Sequence, residues 1–208
     1  MVPKEIPKRG EQVNDQMRCN QLMKDYASHG VTFANKSKPW RGWHKCVPFF
    51  FHILGRFKPL VTRGFFSDYL SVLGKTVYLP HHLYMDYVVD AQRFFTRYEG
   101  VLRHELQHIK DYKVQPLRFS LSYVMRKKWR AYWEYRANCQ NMLQRYYTFG
   151  NLSEPYLKSI ESRFTGDIYF KMDPDPKYKI KAIRDNIISG RLNFDSYDKV
   201  IDSIVTRP

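Results

Sequence analysis

The sequence predicts an α+β fold in which helices outnumber strands. Three observations support this class. Apolar residues recur at helical spacing on both sides of His104 and His108. Residues 129–142 contain no glycine or proline and also predict a helix. Upstream of both segments, two runs of strand-forming residues flank Gly74, as expected for a strand, a turn and a second strand.

The first predicted helix follows a short tail. Residues 1–10 are basic and contain proline, which is typical of a tail. Glu11–His29 lacks glycine and proline, and Gly30 is a suitable helix stop. Residues 31–64, which are rich in aromatic and basic side chains, predict only one or two strands.

Two strands are predicted before the central helix. Phe65–Leu73 and Lys75–Leu79 lie on either side of Gly74. Pro80 ends the second strand, because proline has no N–H to donate to a ladder. Helices then continue to the C terminus: Ser153–Arg163, Lys177–Ser189 and Phe194–Val205 are the predicted ones.

These elements predict a simple organisation. We expect a basic tail over residues 1–10 and a single domain over residues 11–208. Within that domain, the core that carries the sequence motifs spans about residues 60–147. A helical C-terminal part spans residues 151–208.

The central helix carries the run His104-Glu105-Leu106-Gln107-His108, an HExxH pattern. Residues four apart on a helix project from the same face, so both imidazoles can reach one cation. Glu105 lies about 100° further round, where it can hydrogen-bond a water instead. An accidental match is expected roughly once per hundred chains of this composition. The alternative interpretation is a helix whose polar side chains are merely solvated.

A catalytic zinc site normally takes three protein ligands and leaves one position to water, so a third ligand must lie elsewhere. Asp111 and Val114 stand where the extended motif HExxHxxGxxH requires glycine and histidine, which excludes the metzincin arrangement. Glu134 is the better candidate. Ala131 and Ala137 flank it at helical spacing, and small residues let two helices approach closely.

Asn138 lies one turn after Glu134 and could hydrogen-bond the outer nitrogen of a ligating histidine. Two alternatives remain open. Glu134 could instead be a solvated residue paired with Arg130, four positions earlier. His81 or His82 could compete as a metal ligand, although histidines at such a position are more often polar surface residues.

These residues resemble those of the gluzincins, and more closely the small single-domain members of that family in bacteria and bacteriophages. The resemblance covers about residues 60–147. It implies a zincin-like fold, in which a small antiparallel or mixed sheet packs on an active-site helix and a glutamate-bearing helix. It also implies zinc-dependent peptide hydrolysis, with one zinc ion (Zn2+) per chain. The ligands would be His104, His108 and Glu134, and Glu105 would be the general base.

The resemblance assigns further roles. The family often has an aspartate at the position of Asn138, whose side-chain carbonyl can still accept a hydrogen bond. An antiparallel edge strand of the family holds an extended peptide through its free backbone groups. Here that strand would consist of Lys75, Thr76, Val77, Tyr78 and Leu79. A hairpin without a substrate role is the alternative. Candidates for the oxyanion donor are Tyr112, Tyr123, Tyr132, Tyr135 and Arg136.

Charge and composition restrict the partners. A net charge of +15 favours anionic partners, such as nucleic acid, an anionic membrane, a wall polymer or an acidic protein. Basic residues are densest over residues 126–130 and, among tryptophans, over residues 36–45. No run of about 18 apolar residues predicts a transmembrane segment. The N terminus lacks the apolar core of a signal peptide.

Cys19, Cys46 and Cys139 are widely spaced and form no CxxC motif, which favours synthesis in a reducing cytoplasm. Later packaging in a virus particle is compatible with that origin. Two function classes therefore compete. One is a zinc peptidase acting on a peptide or protein substrate. The other is a structural or nucleic-acid-binding protein, for example a phage virion component, that keeps the zincin scaffold without hydrolysis. Glu105 favours the enzyme, because a structural metal site needs no general base.

Overall fold

A computed structural model describes residues 15–36, 70–166, 171–194 and 196–205. These residues form an α+β structure that is mostly helical, with one small mixed sheet. They group into two compact units. The first, called the sheet unit, comprises Cys19–Glu99. The second, called the helical unit, comprises Gly100–Pro208 together with the chain up to Arg18.

The sheet unit is organised around a three-stranded sheet. Its elements, with the helix that leads into it, are α1 (Asp15–Ser28), β1 (Thr32–Asn35), β2 (Ser71–Leu73), β3 (Thr76–Leu79), α2 (His81–Val89) and α3 (Ala91–Arg97). β3 is central: it pairs parallel with β1 and antiparallel with β2. Val77 and Leu79 are buried, whereas Thr76 and Tyr78 are only half-buried, as the alternation of side chains along a strand requires.

The predicted hairpin is confirmed over its described residues. Gly74 lies in the turn with a φ of 62°, a left-handed conformation that glycine adopts without steric cost. Residues 65–69 of the predicted first strand lie outside the described residues, as do residues 37–64 and the predicted tail.

The prediction that Lys75–Leu79 forms an edge strand is wrong. β3 is paired on both sides, and the N–H groups of Thr32 and Lys36 donate to the carbonyls of Lys75 and Leu79. Both rows of backbone groups on β3 are therefore engaged within the sheet. Because strand addition needs a free row, this strand does not offer the predicted peptide site.

The helical unit contains the HExxH motif. Its helices are α4 (Glu99–Val114), α5 (Pro116–Met125), α6 (Lys127–Phe149), α7 (Glu154–Thr165), α8 (Lys177–Ile188) and α9 (Tyr197–Ile204). Every residue of α6 from Ala131 to Cys139 is buried, so this helix runs through the middle of the unit. It ends at Gly150, whose φ of 69° forms a left-handed C-cap.

The three C-terminal helices pack against α6, in agreement with the predicted helical C-terminal part. Their buried apolar side chains share one core with Tyr135, Met142 and Leu143 of α6. The rings of Tyr135 and Phe164 stack at a centroid distance of 4.0 Å. The predicted helices agree with the observed ones to within a few residues, except that α6 continues beyond residue 142 to Phe149. The helices α2, α3 and α5 were not predicted from the sequence.

Candidate metal centre

Helices α4 and α6 bring the three predicted ligands together. The Nε2 atom of His104 lies 3.4 Å from Oε2 of Glu134. The Nε2 atom of His108 lies 3.4 Å from Oε1 of the same carboxylate. The two Nε2 atoms are 3.2 Å apart. Among the described residues, these three side chains form the one group of histidine, cysteine or carboxylate donors placed to hold a metal ion.

The spacing of the donors fits zinc. Ligands of a tetrahedral zinc ion bind at about 2.0–2.1 Å, which places them roughly 3.3–3.4 Å from one another. The two Nε2 atoms, 3.2 Å apart, are close to that spacing. The two 3.4 Å contacts go to different oxygens of Glu134, and with one donor atom from each residue the three atoms lie within 4.8 Å of one another. Two imidazoles and one carboxylate also form a ligand set that catalytic zinc sites use. The residues present therefore fit the ion in kind and number, and their donor atoms converge on one place.

The buried carboxylate of Glu134 makes the centre favourable for a positive charge. Glu134 is only 3% exposed. Burial raises the pKa of its carboxyl, but the two histidines outweigh this and hold that pKa well below its usual range. Burial lowers the pKa of His108, and the Glu134 carboxylate more than offsets it, so that pKa is raised. A buried anion therefore attracts a cation to the imidazoles, either a proton or a metal ion.

Helix α5 covers one side of the centre with aromatic side chains. The Tyr123 hydroxyl donates a short hydrogen bond to Oε1 of Glu134. The Tyr123 ring lies edge-on to the His108 ring at a centroid distance of 5.6 Å, and Phe119 stacks on Tyr123. The sequence offered Tyr123 only as one of five oxyanion candidates. Its contact with the third ligand was missed, although the Phe119 and Tyr123 pair at helical spacing could have indicated an inward-facing helix.

The prediction that Asn138 orients a histidine is wrong. The Asn138 side chain donates to the backbone carbonyl of Glu134 at 2.9 Å, and it accepts from Arg163 at 3.4 Å. It is held by its own helix and by α7. Among the described residues, the buried Nδ1 atoms of His104 and His108 have no hydrogen-bond partner.

The positions of Glu134, His81 and His82 decide between the alternative interpretations of the ligands. Glu134 is buried against the histidines, so its interpretation as a solvated residue is wrong. The Nε atom of Arg130 donates to the Tyr123 backbone carbonyl. His81 and His82 begin α2 in the sheet unit and are exposed, and Nδ1 of His81 lies 2.9 Å from the Asn35 amide nitrogen.

Glu105, the predicted general base, is half-buried on α4 beside His104. Its negative charge contributes to the raised pKa of His108, which places the carboxylate within electrostatic reach of the centre. The motif therefore separates two ligands from one further carboxylate on the same helix, as helical spacing predicts.

None of the helices in the described part of the chain combines the length and the apolar composition that crossing a bilayer requires. Comparison of the chain with protein-family models, with curated proteins and with solved structures finds no match.

Proposed function

We propose that this protein is a zinc-dependent peptidase whose metal ligands are His104, His108 and Glu134. The observation that carries the proposal is the convergence of two imidazole nitrogens and a buried carboxylate within 3.2–3.4 Å of one another. A structural zinc site usually has four protein ligands. Three ligands leave one position for water, as hydrolysis requires.

The chemistry follows from the charges at the centre. A zinc ion bound there would lower the pKa of water to about 7 and polarise a substrate carbonyl. Glu105 accepts the proton from the attacking water and then returns it to the leaving amine. His104, His108 and Glu134 would hold the ion, and Glu134 would supply the negative charge for it. Tyr123 orients Glu134 by donating a hydrogen bond from its hydroxyl.

A test of the proposal separates metal binding from hydrolysis. Purified protein is expected to contain about one zinc ion per chain and to cleave members of an unbiased peptide library. Glu105→Gln is expected to retain zinc and to lose hydrolysis by about 100-fold or more, because it removes only the general base. The measurements are elemental analysis and mass spectrometry of the digests.

Glu154→Gln is the matched control. Glu154 is an exposed glutamate in the first turn of α7, so its substitution should change neither zinc content nor cleavage. Hydrolysis that persists in Glu105→Gln would remove this residue from the mechanism. Stoichiometric zinc without cleavage of any peptide would contradict the peptidase and favour a binding or structural role.

A further inference from the structure

The outer side of α5 carries an exposed apolar stripe, formed by Val114, Leu117 and Leu121. These side chains are 76%, 79% and 60% exposed. Leu117 and Leu121 lie four residues apart on one face of α5, and Val114 ends the preceding helix. The aromatic residues of α5, Phe119 and Tyr123, face inward onto His108. The stripe is therefore not required for the contacts that α5 makes with the metal centre.

Basic residues flank this stripe in the sequence. From Tyr112 to Trp133 the sequence contains no aspartate or glutamate. Five exposed basic residues occur in that interval: Lys113, Arg118, Arg126, Lys127 and Lys128. The preceding acidic residue, Asp111, is buried and paired with Arg136 at 3.1 Å. The charged residues of α5 and of the segments on either side of it are thus all basic, although the exposed Asp198 lines a pocket together with Val114. This excess of positive charge favours an anionic partner.

Position and chemistry discriminate among anionic partners. A second copy of this chain would place two positive surfaces face to face, which like-charge repulsion disfavours. Single-stranded nucleic acid is bound by aromatic side chains that stack on bases, but the protruding residues here are aliphatic. A stable protein interface buries about 800 Å² on each partner around a central anchor, and three aliphatic side chains in a row provide neither.

A bilayer of anionic lipid fits both properties. Apolar side chains on one face of a helix enter the boundary between headgroups and acyl chains, while lysine and arginine meet the lipid phosphates. Few apolar residues suffice, because the basic side chains supply much of the attraction. We propose that Val114, Leu117 and Leu121, with the basic residues around them, dock this protein on an anionic lipid surface. This proposal does not rest on the proposed function.

Vesicle sedimentation tests the proposal with the full-length protein. We expect binding to phosphatidylcholine vesicles that contain phosphatidylglycerol, little binding to phosphatidylcholine alone, and weaker binding as salt is raised. The double substitution Leu117→Gln and Leu121→Gln leaves the charge unchanged. It is expected to lower the affinity for anionic vesicles by about tenfold or more, because two apolar side chains no longer enter the bilayer.

The matched control is Tyr178→Gln with Ile188→Gln on α8, where both side chains are also exposed, and it should bind as the parent does. Circular dichroism and thermal melting check that each variant is folded. Failure of the parent to bind anionic vesicles would overturn the proposal. So would equal binding of the α5 double variant and its parent, which would indicate adsorption by charge alone. Retention of single-stranded nucleic acid that is lost in the α5 variant would identify the partner as nucleic acid instead.

Discussion

Two polar clusters each join α4 to α6, and their charges are balanced in different ways. The first is the metal centre, formed by His104 and His108 of α4 with Glu134 of α6. The second, called the Arg136 cluster, joins Arg136 of α6 to Asp111 of α4 and to two aspartates of α9. Among the described residues, no lysine or arginine forms an ion pair with Glu134. The Arg136 cluster contains its own cation, whereas the buried Glu134 of the candidate metal centre lies against two imidazoles, where a proton or a metal ion can balance its charge.

The contacts of Arg136 show how the charges of its cluster are balanced. The Arg136 guanidinium contacts Asp111 at 3.1 Å, and Asp198 and Asp202 each at 2.6 Å. Gln107 donates a further hydrogen bond to Asp111. Burial lowers the pKa of Arg136, but Asp111, Tyr197 and Tyr132 together outweigh burial and raise that pKa above its usual range. Arg136 therefore stays charged at every pH at which the protein is folded.

The largest effect is expected from removing the cation of the Arg136 cluster. Arg136→Met should lower the free energy of unfolding by about 3–5 kcal/mol, because it leaves the buried Asp111 with the hydrogen bond from Gln107 but without a counter-ion. Urea unfolding followed by circular dichroism measures this loss. Arg191→Met, at an exposed position, should stay within about 0.5 kcal/mol of the parent. A small loss in Arg136→Met would remove the distinction between the two clusters.

The second-largest expected effect is the stabilisation of the folded protein by zinc. At a free concentration about 100-fold above its dissociation constant, zinc should stabilise the parent by about 2.7 kcal/mol, since it binds the folded centre. Glu134→Ala should lose this increment, which thermal melts with and without a chelator measure. An equal increment in Glu134→Ala would place the third ligand at another residue. Glu154→Gln should keep the full increment, because Glu154 is exposed on α7.

A pH dependence should distinguish the metal-free centre from the Arg136 cluster. The pKa of His108 is raised, so its contribution to stability is present below about pH 6.5 and is lost as pH rises through the folded pKa. The pKa of Glu134 is lowered, so its contribution is present above about pH 4.5 and is lost as pH falls through the folded pKa. Both contributions are therefore fully present only between about pH 4.5 and pH 6.5.

Metal-free protein should therefore be less stable at about pH 8 than at about pH 6, and zinc should reduce or reverse that difference because it replaces the bound protons. Urea unfolding at the two pH values, with chelator or with zinc, measures the effect. His108→Asn should show a weaker dependence. The same slope in His108→Asn and in the parent would assign the titration to another group.

The smallest effect is expected at Tyr123. Tyr123→Phe keeps the ring beside His108 but removes the hydrogen bond to Glu134, so zinc binding should weaken by about 1 kcal/mol. Competition with a zinc-sensitive dye measures the dissociation constant. Tyr178→Phe, on the exposed side of α8, should leave it unchanged. Unaltered zinc affinity in Tyr123→Phe would show that Glu134 is positioned without its help.

Local periodicity was sufficient to predict which three side chains converge at the candidate metal centre. His104 and His108 are one turn apart, and the small residues around Glu134 indicate a close helix contact from spacing alone. Ala131 and Ala137 are indeed buried in α6. The helices of the C-terminal part were predicted for the same reason, since each has apolar residues at helical spacing.

Contacts between distant segments could not be predicted in this way. β3 is central because β1 pairs with it in parallel, bringing Thr32 opposite Thr76. No local pattern specifies such a pairing. The Asn138 side chain could hydrogen-bond either a histidine or a backbone carbonyl of α6. Spacing alone did not show that it donates to the carbonyl of Glu134. The aspartates of α9 lie more than 60 positions after Arg136, so no local pattern indicates their ion pairs.

The burial of α6 on all sides has a consequence for which changes of chain length the protein tolerates. Glu134 and Arg136 are two residues apart within nine consecutive buried positions. Inserting or deleting one residue just before Glu134 would rotate the preceding part of the helix by about 100° relative to both side chains. Buried aromatic residues would then lose the contacts with their partners. Because no side of this segment faces solvent, every rotated side chain would meet a new buried environment. Insertions and deletions should therefore be excluded from Ala131–Cys139, and a change of length there should disrupt both clusters together.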